Sequence, residues 1–129
     1  MATILVVDDE PTICRLVRSA LETSGYAVLE ASNGMLGLKL AQMEQPDLIL
    51  LDIALPQMSG LEVNRRLQGD ATTASIPVLY LTGLVPETDR DSSGSVQGYI
   101  AKPFSPALLI ERIESVLLQQ ARPSAMATG

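Results

Sequence analysis

The chain has 129 residues, 47% of them hydrophobic, which matches the usual size of one domain and suffices to bury a core without disulfides or structural metals. A net charge of −6, with the few basic residues scattered along the chain, argues against a surface that binds a nucleic-acid backbone or an anionic membrane. The absence of histidine and the single cysteine, Cys14, exclude histidine-based triads, histidine-ligated metals and an internal disulfide, and fit a reducing cytoplasm.

The opening MATILVVDDE turns acidic too early for a signal peptide, and no apolar stretch reaches the roughly 18 residues of a membrane span. Within it TILVV, residues 3–7, reads as a strand that runs into Asp8 and Asp9. Ile13, Leu16, Val17, Ala20 and Leu21 then recur at helical spacing and predict a helix ending before Gly25. Cys14 falls in this helix and reads as packing, since no histidine is present to activate its thiol. AVLEA, residues 27–31, predicts a second strand, and its closing Glu30 and Ala31 suit an edge.

A shorter helix over 34–44 precedes DLILL, residues 47–51, which delivers Asp52 at its end before Pro56 stops the ladder. Ser59 is placed to cap a helix over 59–68 that carries Leu61, Val63 and Leu67. PVLYL, residues 77–81, leads to Thr82, and GYIA, residues 98–101, leads to Lys102. Between them GLVPETDRDSSGSVQ, with Pro86 and the run SSGS, predicts a fourth helix that is short or mobile. Leu109, Ile113, Val116 and Leu117 mark the last helix, after which 121–129 reads as a flexible tail behind a domain spanning 1–120.

Strand and helix therefore alternate, and three strands are almost continuously apolar, as strands covered on both faces must be. The expected fold is α/β: a doubly wound, flavodoxin-like sheet of five parallel strands in the order 2-1-3-4-5 with right-handed crossovers. In such a sheet ligands bind beyond the carboxyl ends of the strands, so Asp8, Asp9, Asp52, Thr82 and Lys102 converge on one rim. Several carboxylates around one cleft require a cation, and a donor set without nitrogen or sulfur favours a hard ion such as Mg2+. A carboxylate, a metal, a lysine and a hydroxyl form a phosphoryl-transfer arrangement in which Asp52 attacks and Lys102 and Thr82 hold the phosphoryl oxygens.

The motifs VVDDEP, LLDIALPQMSG, YLTG and YIAKPF occur in an order and spacing that resemble the receiver domain of a two-component response regulator, similar to the single-domain chemotaxis type, over residues 3–120. The resemblance implies that Asp52 is phosphorylated and that Asp9 and Asp52 bind Mg2+ directly, with Asp8 acting through water and the carbonyl of Ala54 as a further ligand. It also implies that Thr82 and Tyr99 form a switch pair and that the bond between Lys102 and Pro103 is cis. The donor is then a histidine kinase or histidine phosphotransfer protein, the target an unidentified downstream protein, and the outcome a signal instead of enzymatic turnover. Ala54 and Leu84, two places after Asp52 and Thr82, cannot orient a water, which implies slow self-dephosphorylation.

Taken singly, Asp8, Asp9 and Glu10 suit the capping of a helix, and Tyr99 suits the core. A haloacid-dehalogenase-type phosphatase needs a second aspartate where Ala54 stands, and a flavodoxin needs a phosphate-binding loop where the chain has DDEP. The competing reading is a phosphorylation-independent interaction module on the same fold. Two departures from the family are Leu55, where methionine is common, and a shortened interval from Thr82 to Lys102.

Overall fold

A computed structural model describes residues 2–83 and 96–121 of the chain. The elements are β1 (Thr3–Val7), α1 (Pro11–Thr23), β2 (Ala27–Ala31), α2 (Gly34–Glu44), β3 (Leu48–Asp52), α3 (Gly60–Gln68), β4 (Val78–Thr82), β5 (Val96–Ala101) and α4 (Pro106–Ala121). The strands form one parallel sheet in the order β2-β1-β3-β4-β5, with β2 at an edge, as expected. Of the fourth helix expected within 84–97, residues 84–95, with Leu84, lie outside the described residues, as does the tail beyond Ala121, whereas Val96 and Gln97 belong to β5, which starts two residues before the expected Gly98. Among those residues no helix is long and apolar enough to cross a membrane.

Alternation along each strand sends successive side chains to opposite faces, so one sheet supports two cores. Ile4, Val6, Leu48, Leu50, Leu79, Leu81 and Ile100 pack against Val17 and Leu21 of α1 and Leu109, Ile113 and Val116 of α4. Leu5, Val7, Ile49, Leu51, Val78 and Tyr80 pack against Leu38 and Ala41 of α2 and Val63 and Leu67 of α3. Each fully buried aliphatic side chain contributes about 1.5–3 kcal/mol, which is why both faces of the central strands are apolar.

The helix ends follow local chemistry. Asn33 accepts a hydrogen bond from Leu36 N at 2.9 Å, and Ser59 accepts one from Glu62 N at 3.2 Å, so both helices on this face start on a side-chain cap. Gly25, at φ 94°, takes the left-handed conformation that carries the chain out of α1. The apolar stripe of α1 differs from the expected one: Cys14, Val17 and Leu21 are buried, whereas Leu16 is exposed. A stripe of spacing three and four leaves its flanking positions undecided, and the face of α1 turned to the sheet is centred on Cys14, Val17 and Leu21, with Leu16 at its margin.

Candidate functional site

Register assembles the site. Val7 pairs with Leu51, so Asp8 and Asp52 follow side by side at the ends of β1 and β3. Thr82 closes β4 beside Ala101, and Lys102 N donates to Thr82 O at 2.8 Å, which carries the lysine to the same end of the sheet. Asp8 and Asp52 continue the alternation of Val6 and Leu50, and Lys102 that of Ile100, so all three belong to the face covered by α1 and α4.

The Lys102 ammonium lies 2.8 Å from Asp8 Oδ2, 3.5 Å from Asp52 Oδ2 and 3.6 Å from Glu10 Oε1. A carboxylate in the apolar run of β3 is thus tolerated because it meets a counter-charge, although Asp52 is only 3% exposed. Its other oxygen, Oδ1, accepts from Ala54 N at 3.1 Å, which fixes the carboxylate orientation. Asp8 Oδ1 accepts from Glu10 N at 2.9 Å, an Asx turn that aims the side chain inward. The acids therefore do not serve as helix caps, and Glu10, at the N-cap position of α1, makes no side-chain cap bond.

Burial dominates the titration of Asp8 and holds its carboxyl above the ordinary value of 3.8, even though Lys102 and the Glu10 N–H pull it down. For Lys102, burial acts to lower the ammonium pKa, but the hydrogen bond to Asp8 and the charges of Asp8, Asp52 and Glu10 together raise it. Cys14 is buried, its thiol pushed up to about 11 chiefly by desolvation, and Sγ lies 3.4 Å from Asp8 O, so it packs under the site as an inert side chain.

The donor set suits a hard dication. One carboxylate oxygen each from Asp8, Asp9 and Asp52 lies within 4.8 Å of the others, and no nitrogen or sulfur ligand joins them. Octahedral Mg2+ with ligands at about 2.1 Å spaces them about 3 to 4.2 Å apart, a small contraction that exposed Asp9 is free to make. Buried Asp8 Oδ2 supplies a further sign. It meets the Lys102 ammonium at 2.8 Å, and a carboxylate oxygen has a second lone pair, so that oxygen retains acceptor capacity. A cavity of about 330 Å³ opens beside the acids, lined by Asp9, Pro11, Arg15 and Ser32 among others.

The sign of the Asp8 shift sets a pH dependence. Between 3.8 and the raised folded value, the native state holds a proton that the unfolded chain has released. Without metal, stability therefore falls as pH rises through that window, and the Asp8 contribution is fully present only below it. Urea unfolding from pH 4 to 8 is expected to show a steeper fall for wild type than for Asp8→Asn. Saturating Mg2+ at 100 times its dissociation constant is expected to restore about 2.7 kcal/mol at neutral pH. Identical pH profiles for the two proteins would count against this account.

Thr82 is buried, and Tyr99 is half-buried with its ring stacked on Tyr80, centroids 5.3 Å apart. The Lys102–Pro103 peptide bond is cis. The structure thus brings Asp8, Asp9, Asp52 and Lys102 into one cluster, puts Thr82 at the same end of the sheet, and sets Tyr99 against Tyr80 on the α2 and α3 face. Reading the strand ends did not reveal the part of Glu10, which looked like a helix cap, or that of Tyr80, which was only one more apolar strand residue. Nor did it reveal the β5 bulge at Gly98, φ 131°, where the Arg112 guanidinium occupies the place of a side chain. The acid three places before Ile13, the first residue of the helical stripe, was the available signal for Glu10.

A family model for the response regulator receiver domain matches residues 4–114. Protein PilH of Pseudomonas aeruginosa is 42% identical over 120 residues, which cover 91% of this chain and 98% of PilH. The polar-differentiation response regulator DivK of Brucella anthropi is 38% identical over 117 residues, 89% of this chain and 95% of DivK. Among solved structures, the chemotaxis protein CheY4 of Vibrio cholerae superposes with a TM-score of 0.84 at 30% identity, covering 90% of this chain and 98% of CheY4.

Proposed function

Because the chain belongs to the response regulator receiver family, the phosphoacceptor module of two-component signalling, we propose that Asp52 is the residue that takes the phosphoryl group. The observation that carries this reading is the shared ammonium of Lys102, 2.8 Å from Asp8 and 3.5 Å from Asp52 at the ends of neighbouring strands. Asp52 forms a P–O bond as the P–N bond of a partner's phosphohistidine breaks, and the electron pair leaves with the imidazole nitrogen. The Ala54 N–H keeps the attacking carboxylate in one orientation, and Lys102 passes from Asp8 to the transferred oxygens.

Asp9, Asp52 and the Ala54 carbonyl would hold Mg2+ directly, with Asp8 reaching it through water. When bound, Mg2+ offsets the charge of the carboxylates and the phosphoryl oxygens. Thr82 then moves toward the phosphoryl group and Tyr99 turns further inward, so that two conformations differ in the surface offered to a downstream protein. The product is a covalent signal on the chain, and the donor is a histidine kinase or phosphotransfer protein, as membership of the family implies.

Peptide mapping tests the assignment. After acetyl phosphate and Mg2+, reduction of the acyl phosphate with borohydride is expected to convert residue 52, and no other, to homoserine. Labelling at another aspartate would displace Asp52 from this role, and a chain that takes up no phosphoryl group would favour the interaction-module reading.

A further inference from the structure

Among the described residues three acids share the Lys102 ammonium, and they are not alike. The side chains of Asp8 and Asp52 are 0% and 5% exposed, whereas Glu10 is 59% exposed and stands 3.6 Å from the same nitrogen. Glu10 is not needed to complete the acid cluster of Asp8, Asp9 and Asp52. Its own backbone N–H holds Asp8 in place, and that bond does not depend on the side chain. The carboxylate of Glu10 therefore adds negative charge at the water-facing side of the cleft and, among the described residues, is the exposed charged partner of Lys102.

We propose that Glu10 sets donor specificity, disfavouring phosphoryl donors with anionic leaving groups relative to donors whose leaving group is a protonated nitrogen. The inference rests on the reading of Asp52 as acceptor. With acetyl phosphate, a dianion, Asp52 forms its P–O bond while the acyl P–O bond breaks and acetate departs with the electron pair and a negative charge. With phosphoramidate, a monoanion protonated on nitrogen, the P–N bond breaks and neutral ammonia departs. The first reaction brings two negative charges past Glu10 and releases one; the second brings one and releases none. A unit charge a few ångströms away in a wet cleft mouth is worth about fivefold in rate per opposing charge, and salt screens it.

The experiment measures phosphorylation rates by intact mass with each donor at low salt and Mg2+, for wild type, Glu10→Gln and Glu10→Asp. Glu10→Gln is expected to react about 25-fold faster with acetyl phosphate and about fivefold faster with phosphoramidate, a change of about fivefold in the ratio of the two rates. Glu10→Asp should keep the wild-type ratio of the two rates, and at about 0.5 M salt the difference between Glu10→Gln and wild type should shrink. Each rate is measured at saturating Mg2+, so that a change in Mg2+ affinity on removing a nearby carboxylate does not enter the ratio. An unchanged donor ratio overturns the role of Glu10 while leaving Asp52 as acceptor. A wild-type chain modified by neither donor overturns both.

Discussion

Asp52→Asn is expected to remain at its unmodified mass under conditions in which the wild type gains one phosphoryl group. The amide has the same shape, and its oxygen can still accept the Ala54 N–H now 3.1 Å from Asp52 Oδ1, so the loop need not rearrange. What the substitution removes is the proposed anionic nucleophile, without which the acyl phosphate cannot form. Asp52 is also one of the charges that raise the Asp8 carboxyl. Without metal, the variant is therefore expected to be as stable as wild type or more stable by about 1 kcal/mol, because two close carboxylates become one. With Mg2+ the order should reverse if Asp52 is the ligand proposed above. Equal phosphoryl gain in both proteins would show that the chemistry resides elsewhere.

Gly60→Ala is expected to be the most damaging small substitution near the site. A Cβ on Gly60 would lie 2.2 Å from the carbonyl oxygen of Asp52 and 2.8 Å from Ile53 Cα. Both neighbours are backbone, and Gly60 N donates to Ile53 O at 2.8 Å, so neither side can yield without pulling α3 from the end of β3. Alanine would gain about 1 kcal/mol of helix propensity over glycine, but overpacking against backbone outweighs it. A net loss of about 3 kcal/mol is expected, read as a fall in Tm of about 10 °C for a chain of this length. Because the displaced atoms belong to Asp52 itself, phosphorylation should slow by about 10-fold or more, as misplacement of a reacting group does. A Tm within about 2 °C of wild type would sink this reading of the turn.

The parts of the fold that could be read along the chain are those in which neighbouring residues repeat one demand. Leu48 to Leu51 are apolar because both faces of β3 are covered, and Glu30 marks β2 as an edge because half of its surroundings are solvent. Ser59 could be assigned to the start of α3 because capping uses a bond three residues long. Leu16 could not be assigned to solvent, since its exposure depends on where α1 meets the sheet and on the position of α4. Gly60 stood in the sequence as a motif residue, and the reason for it appears only when α3 is brought against the β3 carbonyl.

The sequence by itself determined the class of fold and the chemical character of the site, because hydrophobic periodicity and the residues after each strand are local properties, while the strand order was taken from the common doubly wound arrangement. Only the tertiary structure decided how the charges are shared. It paired Lys102 most closely with Asp8, brought Glu10 within reach of the same ammonium and stacked Tyr99 on Tyr80. Those are distances between side chains far apart in the chain, and they depend on strand register, on burial and on the packing angles of helices, none of which a linear pattern encodes.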